Sequence, residues 1–135
     1  MTPTQRTLKL LDELGYKPGI VERWIPNPAY PGGGKRMDLW GIIDIIAINN
    51  RETVAVQSTG QGFSEHVRKI EGDGEKALLD WLAGPNRSFW LVAWRPLAAY
   101  KKDGTRSKVD KMTPRVVRYV RGGPDRLCQV PVALD

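Results

Sequence analysis

The 135-residue chain predicts an α/β fold, a mixed central sheet flanked by helices. Three observations carry this. Segments of helical period alternate with segments of strand period in the order α, β, β, β, α, α, β. Residues 88–94 (SFWLVAW) are apolar on both faces, as an interior strand covered on both sides requires. Two further apolar runs, 39–48 and 53–59, flank a short polar turn and read as a hairpin. The length suits one domain spanning 1–135, large enough to bury a core without disulfides.

Each element follows from local signals. Thr2-Pro3 reads as an N-cap followed by proline in the first turn, Leu8, Leu10, Leu11 and Leu14 make an apolar stripe, and Gly15 stops the helix, giving residues 3–14. Residues 20–25 (IVERWI) alternate and read as a strand. Residues 26–36 (PNPAYPGGGKR) hold three prolines and three glycines, which predicts a long irregular loop ending in two cations. Asn49-Asn50-Arg51-Glu52 supplies the hairpin turn, because asparagine tolerates left-handed conformations. Helices follow at 63–71 and 75–83, the second with Leu78, Trp81 and Leu82 on one face and Gly84-Pro85 as its stop. After Pro96 the pattern weakens, leaving 116–120 (VVRYV) as a last strand and the terminal QVPVAL as an edge strand.

Composition narrows the function. The net charge is +6, and nine basic residues against three acids lie between Lys101 and Arg126, with twelve of each elsewhere. The whole excess therefore sits in one segment at about 101–126, the footprint of a polyanion partner, here DNA, or else of a solvated loop. No apolar run approaches the ~20 residues that span a bilayer, and Met1–Thr7 has no signal-peptide core. A cytoplasmic, non-membrane protein is expected. Cys128 is the single cysteine and reads as a small buried hydrophobe; no Cys/His cluster offers a zinc site.

The chemistry centres on Asp44, an acid inside Ile-Ile-Asp-Ile-Ile. If the hairpin turns between Asn50 and Arg51, residue i faces residue 101 − i, and Asp44 faces Gln57 on the same side of the sheet. Burying an ionised carboxylate without a partner costs several kcal/mol, on the order of other unpaired buried charges. A hard cation, Mg²⁺ or Mn²⁺, would offset that cost. So would a hydrogen-bonded neighbouring element, or a pairing with Lys35 or Arg36. On the following helix, Glu65 and Lys69 share a face at i, i+4 spacing, and His66 lies between them as a candidate general base or an ordinary surface histidine.

The order of an N-terminal helix, a strand, a Gly-rich loop, then GIID and a strand ending in the polar-x-polar triplet Gln57-Ser58-Thr59 resembles the PD-(D/E)XK nuclease superfamily over roughly residues 4–94. Small members include Holliday junction resolvases. The pattern RMDLWGIIDIIAI…VAVQST…H…KI…WL…W also resembles a group of phage-type and plasmid-type proteins placed near that superfamily. The resemblance implies a restriction-endonuclease-like core, metal-dependent cleavage of DNA, possession of Mg²⁺ or Mn²⁺, branched DNA as substrate and a homodimer with two sites. It implies that Asp44, on the second core strand, binds the metal. The superfamily's following strand carries Glu-x-Lys, a second ligand and a cation that positions or activates water. Here those positions are Gln57 and Thr59. Gln57 offers an amide oxygen as a metal ligand, and Thr59 offers no charge. If that helical face looks back at Asp44, Glu65 and Lys69 would replace the missing ligand and cation, with His66 as base; otherwise Glu65 and Lys69 form an ordinary surface ion pair. Glu13 matches by place a first-helix ligand of some members. Asp38 shares the face of Asp44 only if the strand begins that early.

For DNA contacts the candidates are Lys35 and Arg36 at the end of the Gly-rich loop, and Arg106, Lys108, Lys111, Arg115, Arg118 and Arg121 as a stripe of phosphate contacts. Trp81, Trp90 and Trp94 are expected in the core; Trp24 and Trp40 are candidate interface residues. The rival expectation, favoured by Gln57 and Thr59, is a domain of the same fold that has lost its chemistry and binds DNA or protein. A third expectation is a small structural protein without a specific partner.

Overall fold

The computed structural model describes residues 1–134. Its elements are α1 (Pro3–Glu13), β1 (Lys17–Ile20), β2 (Arg23–Pro26), β3 (Gly34–Met37), β4 (Ile45–Ile48), β5 (Thr53–Thr59), α2 (Phe63–Glu71), α3 (Glu75–Ala83), β6 (Arg87–Leu97), β7 (Lys111–Gly123) and β8 (Arg126–Pro131). Six strands form one mixed sheet in the order β1-β4-β5-β6-β7-β8, and β2 and β3 form a separate two-stranded sheet. All pairings in the main sheet are antiparallel except β5 with β6, which α2 and α3 connect as a parallel crossover. No helix among the described residues is long and apolar enough to cross a membrane.

Period-two alternation sorts the core into two layers. Val54, Val56, Trp90, Val92 and Trp94 face one side of the sheet, where Leu11 of α1 completes the cluster. Ala55, Phe89, Leu91, Val117 and Tyr119 face the other, against Ile70 of α2 and Leu78 of α3. The apolar run predicted to be covered on both faces is so covered. At its start α1 has a reciprocal capping box, Gln5 N–H donating to Thr2 Oγ1 and Thr2 N–H to Gln5 Oε1. A buried polar chain ties α1 to the sheet: Trp94 Nε1 donates to Thr7 Oγ1 at 2.8 Å, and Thr7 shares a hydrogen bond with Ser58 Oγ at 2.7 Å.

The hairpin register is the one the turn predicts. Ile45 pairs with Val56 and Ile48 with Thr53, so paired numbers sum to 101. Asn49 sets the turn by accepting, through Oδ1, the N–H groups of Arg51 and Glu52 at 2.8 Å each.

Four expectations are corrected. The strand expected at 20–25 is broken at Val21-Glu22 into β1 and β2, which belong to different sheets. The loop expected through 26–36 is the far end of a hairpin, because β3 pairs with β2 from Gly34 onward. A Cβ at Gly34 would stand 2.6 Å from both the Ile25 carbonyl and the Trp24 ring, so only glycine allows this approach. The strand expected at 39–48 is regular only from Ile45; before it, Trp40 and Gly41 both take left-handed backbone conformations (φ 53° and 74°) in a tight turn closed by the Leu39–Ile43 bridge. The basic segment at about 101–126, with strand expected only at 116–120, is mostly regular structure. Beyond its first loop it is the long strand β7 and the turn into β8. Pro96 and Pro114 are tolerated because β5 pairs with β6 only as far as Ala93, and β8 with β7 only from Val117, so each proline faces a free edge.

Candidate metal centre

The excursion of the chain into β2 and β3 shapes the site. Glu22 lies where the chain leaves the main sheet, Asp38 where it returns, and Asp44 just before β4. Ligand atoms of these three carboxylates all lie within 4.8 Å of one another, so the cluster could hold a metal ion.

Asp44 is 4% exposed and its backbone is fully engaged: its N–H donates to the Val56 carbonyl and its carbonyl accepts from Val21 N–H. Its carboxylate accepts the Ser58 N–H at 3.2 and 3.1 Å, supplying an acceptor that β4 no longer offers there. Burial pushes the Asp44 carboxyl up to about 7; the Ser58 N–H pulls it down, and the neighbouring charges of Asp38 and Glu22 push it further up.

Gln57, 2% exposed, faces Asp44 as the register requires. Its amide nitrogen donates to Asp38 Oδ2 at 3.1 Å and to Asp44 Oδ2 at 3.3 Å. Its oxygen, Oε1, is buried without a hydrogen-bond partner. A buried acceptor left unsatisfied costs about 1–3 kcal/mol. Turning the amide over would bring the oxygen toward the acids, a favourable arrangement only with a cation between them.

Lys69 of α2 reaches the cluster, its Nζ 3.6 Å from Asp38 Oδ2, while 42% of its side chain stays exposed. The α2 face that carries Lys69 therefore looks toward the acids. Glu65, on the same face, is exposed and is not among the clustered carboxylates. His66 is engaged through Nδ1 with the Gly62 carbonyl at 3.0 Å, at the start of α2. Thr59 donates its hydroxyl to the Gln61 carbonyl at 3.1 Å, closing the turn into α2. Glu13 lines a different cavity, with Trp94 and Lys111.

The acids that accompany Asp44 are thus Asp38 and Glu22. Asp38 arrives through the tight turn at Trp40-Gly41 rather than along an early-starting strand. Glu22 escaped the sequence reading because 20–25 looks like one continuous strand. The available signal was a single acid interrupting Ile20-Val21 and Trp24-Ile25.

The cations are distributed. Arg36 pairs with Glu22 at 3.7 Å, placing it beside the cluster, and Lys35 lies over the Tyr30 ring at 5.1 Å. Arg115 covers the ring of Phe63, at the start of α2, at 3.7 Å. Arg106 pairs with Asp110 at 3.1 Å, and Lys108 is exposed in the same loop. Lys111 lines the α1-side cavity. Arg118 pairs opposite Trp90, on the α1 side, and Arg121 donates to the Pro124 carbonyl at 2.9 Å. Side chains alternate along β7, so Arg115 and Arg118 point to opposite faces and the predicted single stripe does not form. No protein-family model, curated protein or solved structure matches this chain.

Proposed function

We propose that the chain is a nuclease-like DNA-binding protein that hydrolyses phosphodiester bonds with Mg²⁺ or Mn²⁺. The observation that carries this is the convergence of Glu22, Asp38 and Asp44 at the head of the β4–β5 hairpin, with Lys69 beside them. The order of elements supports it. Asp44 stands at the second strand of the main sheet, Gln57-Ser58-Thr59 ends the third, and a helical crossover leads to a parallel fourth.

The donor set fits the proposed ion. It consists of carboxylate oxygens, which hard divalent cations prefer, and Gln57 Oε1 is a buried oxygen in need of a partner. Glu22, Asp38 and Asp44 would hold the ion, and Gln57 would complete the set through its oxygen with its amide turned over from the present arrangement. When bound, such an ion neutralises phosphate charge and polarises the scissile bond. Asp44 would bind such an ion as the carboxylate, its proton released to solvent. Without an ion, the Gln57 amide nitrogen holds Asp38 and Asp44 together, and Lys69 would supply the cation that Thr59 lacks, at the rim where a phosphate would arrive. Lys35 and Arg36 on the β2–β3 hairpin and Arg115 near α2 are the cations best placed to hold the backbone. Branched DNA and a two-site homodimer belong to this proposal through the resolvase resemblance. The test is cleavage of labelled linear, single-stranded, nicked and four-way-junction DNA with Mg²⁺, Mn²⁺ or EDTA. Metal-dependent cutting of any form is expected; no cutting of any form would overturn the hydrolytic reading.

The second reading, an inactive binding module, is favoured by one observation: the Gln57 amide nitrogen already bridges Asp38 and Asp44. Gln57→Glu separates the two. For a metal site, a further carboxylate tightens Mn²⁺ binding by about tenfold, since ligand charge tunes such affinities. It also lowers the melting temperature in EDTA, because another negative charge joins Asp38 and Asp44. Calorimetric titration that finds no tightening would favour the module.

Lys69→Met should split binding from catalysis. Removing a cation beside Asp38 strengthens divalent-ion binding by about fivefold, roughly 1 kcal/mol for a partly exposed pair. Cleavage falls by about 10²-fold if Lys69 stabilises charge in the transition state. Ion titration and single-turnover rates on one preparation check both directions.

A further inference from the structure

Trp40 is an aromatic side chain that the core does not use. It is 57% exposed, although it sits two residues from Asp38. Its backbone is left-handed (φ 53°), a conformation uncommon for a bulky residue and concentrated at functional sites. It stands between two cavities. One is lined by Asp38, Met37 and Arg23, and so includes one of the clustered acids. The other, of about 450 Å³, is lined by Trp40, Asp73, Lys76, Asp80, Trp81 and Arg87.

The second cavity is built around fixed flat surfaces. Trp81 is anchored by its Nε1–H, which donates to the Ser88 carbonyl at 2.9 Å, so its ring cannot turn freely. The Trp40 ring lies 6.5 Å from it, centroid to centroid, at 53°. The Arg87 guanidinium lies over Trp81 at 5.0 Å from the ring centroid. Asp73 and Asp80 contribute hydrogen-bond acceptors to the wall, and Lys76 and Arg87 contribute donors.

We infer that this cavity receives an unpaired nucleobase of the DNA strand whose backbone passes the acid cluster. The inference rests on the DNA-binding reading above and gives it a substrate class, DNA with at least one unstacked base beside the cleavage site. An indole face stacks on any base. The carboxylates of Asp73 and Asp80 repel a phosphate but accept hydrogen bonds from the amino groups of a base. The strand therefore enters with its base in the cavity and its phosphate toward Lys69 and the acids. A fully paired duplex keeps its bases stacked inside and cannot use the cavity without flipping one out.

The test is binding in EDTA, so that it is independent of cleavage. A single-stranded oligonucleotide carrying a central 2-aminopurine, and the same strand annealed to its complement, are titrated with wild type, Trp40→Ala and Trp40→Phe by anisotropy and 2-aminopurine quenching. The expected result is a loss of single-strand affinity of about tenfold or more in Trp40→Ala, the range of one lost base–aromatic stack. Duplex affinity is unchanged in Trp40→Ala, and Trp40→Phe retains most of the single-strand affinity and quenching. Single-strand affinity unchanged in Trp40→Ala, with duplex still bound, overturns the cavity and leaves the DNA reading standing. Equal weakening on both forms also overturns it. Failure of both forms to bind wild type removes the DNA reading and the cavity together, and binding of the duplex alone overturns the cavity.

Discussion

Asp44→Asn is expected to reduce metal-dependent DNA cleavage by about three orders of magnitude, the rate equivalent of roughly 4 kcal/mol. Asparagine keeps the shape of the side chain and an oxygen to accept the Ser58 N–H, so the fold and the hairpin register persist. What it removes is the one buried carboxyl of the cluster, the one that can become a charged ligand when an ion is present; the other members, Glu22 and Asp38, are partly exposed. Divalent-ion affinity should fall in parallel, while salt-dependent DNA binding in EDTA should stay close to wild type, because the proposed phosphate contacts are those of Lys35, Arg36 and Arg115 and not of Asp44. Single-turnover cleavage, ion titration and EDTA binding on the same two proteins check this. Cleavage that survives in Asp44→Asn would place the chemistry elsewhere.

The second large effect is on stability, and it runs opposite to ordinary acid denaturation. The Asp44 carboxyl rises from 3.8 in an open chain to about 7 in the fold, chiefly through burial. A raised folded-state value means the native protein holds the proton that the unfolded chain releases. The associated stability is fully present below about pH 3.8 and is lost as pH rises through about 7. At about 1.4 kcal/mol per pH unit, the full loss is at most about 4 kcal/mol. Other carboxylates titrate over the same range, so the contribution is isolated by comparison with Asp44→Asn. The variant should gain stability relative to wild type steadily between pH 4 and 7 and hold the gain above it. Denaturant unfolding in EDTA across that range measures it, and a flat difference would contradict a buried, proton-holding Asp44. Added Mg²⁺ or Mn²⁺ should restore wild-type stability above pH 7 and leave the variant unmoved.

Much of the frame was readable from local patterns. The helices at 63–71 and 75–83 match α2 and α3, since glycines bound each segment. The pairing of Asp44 with Gln57 followed from the turn, because an antiparallel register is fixed once its turn is placed. The remainder depended on contacts between distant segments. Nothing local in Ile20–Ile25 says that the chain changes sheets at Glu22. Nothing in Pro-Gly-Gly-Gly says that Gly34 lies against Trp24 and continues as a strand. The basic segment was found by charge counting, but counting ignores the two-residue period of β7, which divides Arg115 from Arg118. Lys69 was reached through helical spacing alone, and Glu65, by the same spacing, was expected beside the acids that Glu22 and Asp38 provide instead.

The small β2–β3 sheet is joined to the body through the segments that carry Glu22 and Asp38. The hairpin and the ion site therefore share a mechanical frame, since a shift at the base of the one changes carboxylate spacing in the other. With a cation in the cluster and a polyanion on the hairpin, as proposed, occupancy of the two would be a linked equilibrium: a polyanion that favoured one posture of the hairpin would alter affinity for the cation by some factor, and the cation would alter affinity for the polyanion by that same factor.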